Sequence, residues 1–266
     1  MVKERSEALR QQLRYNRFIA PFTTPSAKEL VYSLRLLPGM NVLDHGAGTG
    51  LVSQLALHKQ TNLTITALDP SAALMDAIPA DDRVTQFQGT TADYCTTQAG
   101  AGVSSSKFDA ILSNYVLQFC GDAADELARL RSVAEPGAAL RVAVLGAAKV
   151  VEPFNRFWSA VAACVSGGWP PERYVHFQLG NPTVLAEAAT KAGWYDVVVK
   201  AEWAQRSISA QGAWRWLSST LPTGVDDAYR PLTKPERASV RETLIAKWPA
   251  SGVVRTQYLR QEATAP

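Results

Sequence analysis

Residues 42 to 50 read Val42-Leu43-Asp44-His45-Gly46-Ala47-Gly48-Thr49-Gly50, a short apolar strand followed by three glycines at alternate positions. A helical pattern begins directly afterwards, at Leu51. Because glycine lacks a Cβ, the backbone N–H groups of this loop can approach a bound group closely, and the chain can adopt positive φ angles. The following helix directs its partial positive charge at the same place. The segment therefore predicts a loop that binds a ligand through backbone atoms.

The spacing of these glycines separates the loop from two other nucleotide-binding motifs. A dinucleotide fingerprint reads Gly-x-Gly-x-x-Gly with an acidic residue about 20 positions later, whereas here the third glycine comes one residue early. A phosphate-binding P-loop is excluded because no Gly-Lys-Ser/Thr follows. Asp44, two residues before Gly46, would repel a pyrophosphate. Its negative charge suits a cationic or zwitterionic ligand instead.

The pattern from Asp44 to Gly50 resembles motif I of the class I S-adenosylmethionine-dependent methyltransferases, in particular the small-molecule group that includes ubiquinone and menaquinone methyltransferases. The resemblance covers about residues 30 to 205 and is strongest from 41 to 70. It implies that S-adenosyl-L-methionine is the cofactor and S-adenosyl-L-homocysteine the product. It also implies that the loop holds the amino-acid end of the cofactor. The loop residues assigned to this contact are Asp44, Gly46, Ala47, Gly48 and Gly50.

A second predicted strand, residues 63 to 68, ends at Asp69-Pro70-Ser71. A carboxylate at this position can accept hydrogen bonds from two vicinal hydroxyl groups, each worth about 1.5–3 kcal/mol. Next to the glycine loop, Asp69 is therefore predicted to bind the ribose of the cofactor, with Pro70 beside it. The alternative is that Asp69 only caps the following helix.

The third predicted strand, residues 84 to 88, leads into Gly89-Thr90-Thr91-Ala92-Asp93. The resembling enzymes often carry Gly-Asp-Ala at this point, and the acid contacts the adenine amino group. This chain departs from that pattern because Thr90 occupies the position of the acid. The adenine contact is left open among Thr91, Ala92 and Asp93, each of which is otherwise an ordinary turn residue.

The fourth predicted strand, residues 108 to 114, ends at Asn114-Tyr115 and resembles motif IV in its small-molecule form. Asn114 is assigned to the cofactor, and Tyr115 is a candidate for orienting the acceptor. The Asn/Asp-Pro-Pro-Tyr/Phe motif of enzymes that methylate an exocyclic base amine or a protein glutamine is missing. No carboxylate follows this strand or ends the fifth one, as it does in metal-dependent relatives. No metal ion is expected in catalysis.

Two candidates come from outside the strand ends. Tyr15, in the N-terminal helical region, is predicted to close over the cofactor. His176 lies in an aromatic segment and is a candidate general base, which methyl transfer needs only when the nucleophile loses a proton. The alternative for His176 is a packing or surface residue.

Composition limits the remaining classes of function. The chain has 266 residues, of which 47% are hydrophobic and 19% charged, with a net charge of +3. No apolar run approaches the ~20 residues of a membrane span. A cytoplasmic protein is expected, with organelle import as a minor alternative because residues 1 to 17 carry five basic and two acidic side chains. The scattered basic residues do not indicate nucleic acid binding, and three cysteines without metal spacing suggest ordinary thiols.

The order of elements predicts an α/β fold: a Rossmann-like, doubly wound, mostly parallel seven-stranded sheet with an antiparallel last strand and a helical cap. Residues 1–40 are a helical lead-in, in which Ser26 is expected to cap a helix. Residues 41–205 form the cofactor-binding core, with the cap inserted at about 147–180. The turn Glu135-Pro136-Gly137 is expected before strand five. Residues 206–266 complete the same domain.

The predicted function is metal-independent methyl transfer to oxygen, nitrogen or carbon of a small, partly apolar metabolite. Such an enzyme works mainly by positioning its reactants. The alternatives are methylation of a protein or RNA, or a protein that keeps the cofactor without transferring methyl, as a cyclase or regulatory partner. Monomer and homodimer are equally open.

Overall fold

The computed structural model describes residues 9, 10, 12–100, 107–164, 175–220 and 229–266. Within them, seven strands form one sheet. Their bounds are β1 Met40–His45, β2 Leu63–Asp69, β3 Val84–Gln88, β4 Phe108–Asn114, β5 Ala134–Leu145, β6 Tyr195–Ser207 and β7 Val253–Thr264.

The helices begin with a π-helical turn, Tyr15–Ile19, that continues into α1, Ala20–Tyr32. The next helices are α2 Leu51–Lys59, α3 Ala72–Met75, α4 Thr91–Gly100, α5 Ala123–Ser132, α6 Glu152–Ala162, α7 Pro182–Lys191, α8 Ala210–Thr220 and α9 Lys234–Lys247. Short 3-10 segments lie at Leu117–Phe119, Ala148–Val150 and Val175–Gly180. No helix of these described ranges is both long and apolar enough to cross a membrane.

The sheet has the strand order β3-β2-β1-β4-β5-β7-β6. β1 pairs in parallel with both β2 and β4, and the parallel pairing continues to β3 and β5. β7 is antiparallel to β5. Two backbone hydrogen bonds show this: the amide of Gly137 donates to the carbonyl of Ala265, and the amide of Gly146 donates to the carbonyl of Gln257. The predicted fold class is confirmed. The strand order reverses between β1 and β4, and ligands of such sheets bind beyond the carboxyl ends at that point.

The central strands are apolar because helices cover both of their faces. Val42 and Leu43 of β1 are fully buried, as are Ile65 of β2 and Ile111 and Leu112 of β4. This core fixes the directions of the strands whose ends carry the predicted cofactor residues.

The chain divides into two compact units. Unit 1 comprises Met1–Val144, Pro182–Lys200 and Leu259–Pro266, and unit 2 comprises Leu145–Asn181 and Ala201–Tyr258. The glycine loop and the ends of β1 to β4 all belong to unit 1. The predicted cap falls within unit 2.

The prediction of a turn before strand five at Glu135-Pro136-Gly137 is wrong, because these residues lie inside β5. The register between β4 and β5 shifts there: Phe108 pairs with Ala134, but Ala110 pairs with Ala139. Gly137 takes φ +80° and still uses its amide toward β7. The turn residues therefore form a bulge within a continuous strand.

The expectation that Ser26 caps a helix is also wrong, because α1 runs through Pro25 and Ser26 without a break. The Thr23 and Thr24 hydroxyls donate to the carbonyls of Ile19 and Ala20 near the start of the helix. Proline removes a backbone donor from a helix interior, and tertiary contacts of Ser26, described below, outweigh that loss.

Candidate cofactor site

The glycine loop between β1 and α2 has the backbone conformation that its sequence predicts. Gly46, Gly48 and Gly50 have φ angles of +70°, +55° and +78°. A Cβ at Gly46 would lie only 2.1 Å from Cγ2 of Val116, and one at Gly48 would lie 3.0 Å from the Tyr15 hydroxyl. The loop is therefore closed to side chains at both positions.

Asp44 lies directly before the loop and is almost fully buried. Its Oδ2 accepts hydrogen bonds from the Ser53 backbone N–H at 2.9 Å and from the Ser53 hydroxyl at 2.6 Å. Burial raises the pKa of Asp44 to about 6, although these bonds oppose the shift. Asp44 is thus a carboxylate at neutral pH that is held at the start of α2.

Asp69, at the end of β2, connects two of the predicted cofactor loops. Its Oδ2 accepts from the Gly48 backbone N–H at 2.9 Å, and its Oδ1 accepts from the Ser71 N–H at 2.8 Å. A carboxylate has about four lone-pair sites, so about two remain for other donors. Asp69 is not simply a helix cap, since one of its bonds reaches 21 residues back to the glycine loop. The neighbouring Pro70 is exposed.

Tyr15 lies against the same loop from the π-helical turn. Its pKa is raised to about 12, mainly by burial and further by the charges of Asp44 and Asp69. The phenol is therefore a neutral hydrogen-bond donor beside two carboxylates. Gln12 fixes the same segment, because its Nε2 donates to the carbonyl of Ala73 at 2.6 Å.

The three candidates for the adenine contact differ in their surroundings. Asp93 accepts hydrogen bonds from the backbone N–H and the hydroxyl of Thr90, at 2.8 and 2.7 Å. Thr91 is buried in the first turn of α4, where its hydroxyl helps to lower the pKa of Glu126. Ala92 is exposed. Both bonds to Asp93 use Oδ2, so its exposed carboxylate keeps Oδ1 for another donor, while the side chains of Thr91 and Ala92 differ in burial.

Asn114 and Tyr115, at the end of β4, contact α1. Oδ1 of Asn114 accepts from the Ser26 hydroxyl at 2.7 Å, and its Nδ2 donates to the Thr23 carbonyl at 3.2 Å. Tyr115 is buried, lies 5.7 Å from the Phe22 ring between centroids, and has φ +60°. A left-handed conformation is strained for a bulky residue, and such strain clusters at functional sites.

His176 lies in the 3-10 segment Val175–Gly180 of unit 2. Its side chain falls outside the described residues, so its proposed role as a base stays a prediction.

Sequence reasoning missed a buried polar group behind the loop. Nδ1 of His45 lies 2.9 Å from the Ser113 hydroxyl, and Nε2 lies 3.1 Å from Oε1 of Glu126. Oε2 of Glu126 accepts from Nη1 of Arg129 at 3.0 Å. Burial raises the pKa of Glu126, but its interactions with His45, the nearby Thr91 hydroxyl and Arg129 outweigh this and lower the pKa to about 2. The available signal was a histidine at the end of β1, directly after the buried residues Val42 to Asp44.

Cys120 lies within 4.8 Å of the ligand atoms of His45 and Glu126. Burial raises the pKa of its thiol to about 12, with a further contribution from Glu126. The thiol donates to the Val116 carbonyl at 3.8 Å, whereas a thiol that binds a metal must be deprotonated.

Comparison with known proteins agrees with this geometry. A family model described as a methyltransferase domain matches residues 43–140. The chain is 30% identical over 190 residues to trans-aconitate 2-methyltransferase of Methylobacterium radiotolerans, covering 70% of this chain and 66% of that protein. It is 28% identical over 184 residues to malonyl-[acyl-carrier protein] O-methyltransferase of Salmonella typhimurium, covering 68% of each. The chain thus spans about two thirds of the length of these curated relatives.

A solved structure shares the fold across almost the whole chain. Phosphoethanolamine N-methyltransferase 2 of Haemonchus contortus, in complex with S-adenosyl-L-methionine, has a TM-score of 0.57 at 15% identity, covering 98% of this chain and 57% of that one. Together with the glycine loop, these similarities show that the chain belongs to the class I S-adenosylmethionine-dependent methyltransferases.

Proposed function

We propose that the protein binds S-adenosyl-L-methionine in unit 1 and transfers its methyl group to a small-molecule acceptor. The observation that carries the cofactor site is the hydrogen bond from Gly48 to Asp69, which joins the two predicted cofactor loops at 2.9 Å. Asp69 keeps about two lone-pair sites for a pair of hydroxyl groups. The residues present therefore fit the cofactor that the family uses.

The other contacts follow from the same loops. Asp44, Gly46, Ala47, Gly48 and Gly50 would hold the amino-acid end, with the Asp44 carboxylate suited to an ammonium group. Asp69 and Pro70 would hold the ribose, and Thr91 and Ala92 the adenine. Asn114 and Tyr15 complete the proposed set, with Tyr15 offering a neutral hydroxyl next to the loop.

When bound, S-adenosyl-L-methionine supplies a methyl group that is already activated on a sulfonium. The protein's task is to align the acceptor and exclude water, which is positioning. Tyr115 is proposed to orient the acceptor, since it directly follows β4 in a strained conformation. His176 is proposed as a base for acceptors that must lose a proton. No metal ion is invoked.

For the acceptor, we propose a small molecule that carries a negative charge, methylated at oxygen, nitrogen or carbon. The two curated relatives are named for trans-aconitate and a malonyl thioester.

Two experiments test this function. Calorimetric titration with S-adenosyl-L-methionine, S-adenosyl-L-homocysteine and NADH should give binding of the first two only. A screen with methyl-labelled cofactor should then compare polycarboxylates and acyl thioesters with neutral phenols and amines. Cofactor binding without transfer to any small acceptor would favour the alternatives, a protein or RNA substrate or a cofactor-binding protein without transfer.

A further inference from the structure

His45 is the last residue of β1, so it lies directly before the first glycine of the loop. Neighbouring strand residues point to opposite faces of a sheet. Asp44 bonds to Ser53 of α2, and His45 bonds on the other face to Glu126 of α5. The end of β1 is therefore held from both faces.

The buried pair formed by His45 and Glu126 also contacts β4, the strand next to β1. His45 and Ser113 are register partners in β1 and β4, and the Ser113 hydroxyl lies 2.9 Å from Nδ1. Both side chains are nearly inaccessible, with exposures of 3% for His45 and 0% for Ser113. Thr91, at the start of α4, stabilises the ionised form of Glu126. The buried pair of His45 and Glu126 thus contacts three elements: the end of β1, the end of β4 and the start of α4.

Burying a histidine and a glutamate is costly unless each polar atom is paired. Here Glu126 is paired on both oxygens, with His45 and Arg129. Removing either member of the pair would leave the other buried without its partner. The pair therefore constrains the geometry of β1 more firmly than an apolar residue at position 45 would.

We propose that His45 and Glu126 are positioning residues for cofactor binding, and that they hold the glycine loop and the Asp44 carboxylate in the arrangement that the cofactor needs. The proposal rests on the proposed S-adenosyl-L-methionine site. Neither residue is placed in contact with the cofactor; they act through the end of β1.

The charges around the pair give this role a pH signature. Ionised Glu126 only accepts hydrogen bonds, so Nε2 of His45 carries a proton. Burial and, to a smaller extent, Asp69 raise the pKa of Asp44, whereas the electrostatic effect of His45 lowers it. The other titratable groups facing the pair are Arg129, which bonds to Glu126, and the neutral Cys120 thiol.

The test is the pH profile of S-adenosyl-L-homocysteine affinity, measured by calorimetry between about pH 5 and pH 9. Wild-type affinity should fall below about pH 6, where Asp44 becomes protonated. His45→Gln should bind about tenfold more weakly at neutral pH, and its acid limb should move to higher pH because the lowering effect of His45 on the pKa of Asp44 is gone. Glu126→Gln should also bind about tenfold more weakly. A merely structural role would lower the melting temperature without moving the acid limb.

Two controls and one wild-type measurement complete the design. Asp125→Asn changes an exposed carboxylate next to Glu126, and His58→Gln changes an exposed histidine; both should match wild type. In wild-type protein, ring nitrogen NMR signals of His45, identified as those that persist in both His58→Gln and His176→Gln, should shift on saturation with S-adenosyl-L-homocysteine. Should the pair variants not fold, this spectrum alone decides.

A failure of the proposed function can be distinguished from a failure of the positioning role of His45 and Glu126. No binding by the wild type overturns the proposed function and this inference together. Wild-type binding, with unchanged profiles in both pair variants or unshifted His45 signals, overturns the inference alone.

Discussion

The carboxylate of Asp69 accepts a hydrogen bond from the backbone N–H of Gly48 at 2.9 Å, and this bond joins the ends of β1 and β2. Twenty-one residues separate the two in the chain. The bond orients the carboxylate over the glycine loop while about two of its lone-pair sites stay available. It is the contact on which the proposed placement of the ribose depends.

Asp69→Ala should therefore weaken S-adenosyl-L-methionine binding by about one to two orders of magnitude, which corresponds to the loss of charge-assisted hydrogen bonds. Calorimetric titration measures the change. The matched control is Asp76→Ala, an exposed carboxylate that follows α3, which should bind like wild type. If Asp69→Ala titrates like wild type, the ribose does not lie at Asp69.

Asp44→Asn should stabilise the protein without cofactor at neutral pH. Burial raises the pKa of Asp44 from its usual 3.8 to about 6, so between these values the folded protein binds more protons than the unfolded chain. Stability then falls as pH rises through this window, by at most about 3 kcal/mol for a shift of about two units. Asparagine removes the charge but leaves an amide to be paired, so we expect a gain of about 1–2 kcal/mol.

Denaturant unfolding at about pH 4 and at neutral pH measures this effect. The gain in stability should be present at neutral pH. It should be absent at the lower pH, because the Asp44 carboxyl of the folded wild-type protein is then protonated and uncharged. Cofactor affinity should fall at the same time, because the negative charge is lost. An Asp44→Asn protein that is less stable at neutral pH would show that the Ser53 hydrogen bonds outweigh the cost of burial.

The backbone of this site follows from sequence because its requirements are local. Three alternate glycines after an apolar strand specify positive φ angles whatever surrounds them, and Gly46, Gly48 and Gly50 have them. The bounds of β3 and β4 also agree with their apolar patterns. The predicted roles of the side chains at these strand ends stay predictions.

The features that the sequence did not reveal depend on distant partners. Ser26 resembles a helix cap in sequence, yet its hydroxyl bonds to Asn114, 88 residues away. Gly137 resembles a turn residue, yet it lies in a bulge whose amide meets β7. The partner of His45 is 81 residues distant. Local pattern carries no information on such pairs, because tertiary contacts decide them.

Tyr15→Ala should weaken cofactor binding about tenfold, while Tyr15→Phe should change it much less. The ring of Tyr15 covers the loop at Gly48, and its hydroxyl, with a pKa of about 12, stays neutral across the physiological range. Stopped-flow dissociation of S-adenosyl-L-homocysteine should show a faster off-rate for the alanine variant. Tyr32→Ala, at an exposed tyrosine of α1, is the control. Equal off-rates for Tyr15→Ala and wild type would mean that Tyr15 does not cover the bound cofactor.

Gly46→Ala should destabilise the fold by about 3 kcal/mol, the sum of two separable causes. Alanine at φ +70° is strained, and its Cβ would meet Cγ2 of Val116 at 2.1 Å. Val116→Ala removes the two closest contacts, with Cγ2 at 2.1 Å and Cγ1 at 2.7 Å, but leaves Cβ of residue 116 at 2.9 Å and the backbone strain. The double variant should therefore recover only part of the loss. Gly121→Ala is the control, because nothing lies within 4 Å of its Cβ position and its φ is not positive. Denaturant unfolding of the four variants measures these contributions: full recovery in the double variant would assign the whole loss to the Val116 methyl groups, and no recovery would assign it to the backbone strain together with the remaining Cβ contact.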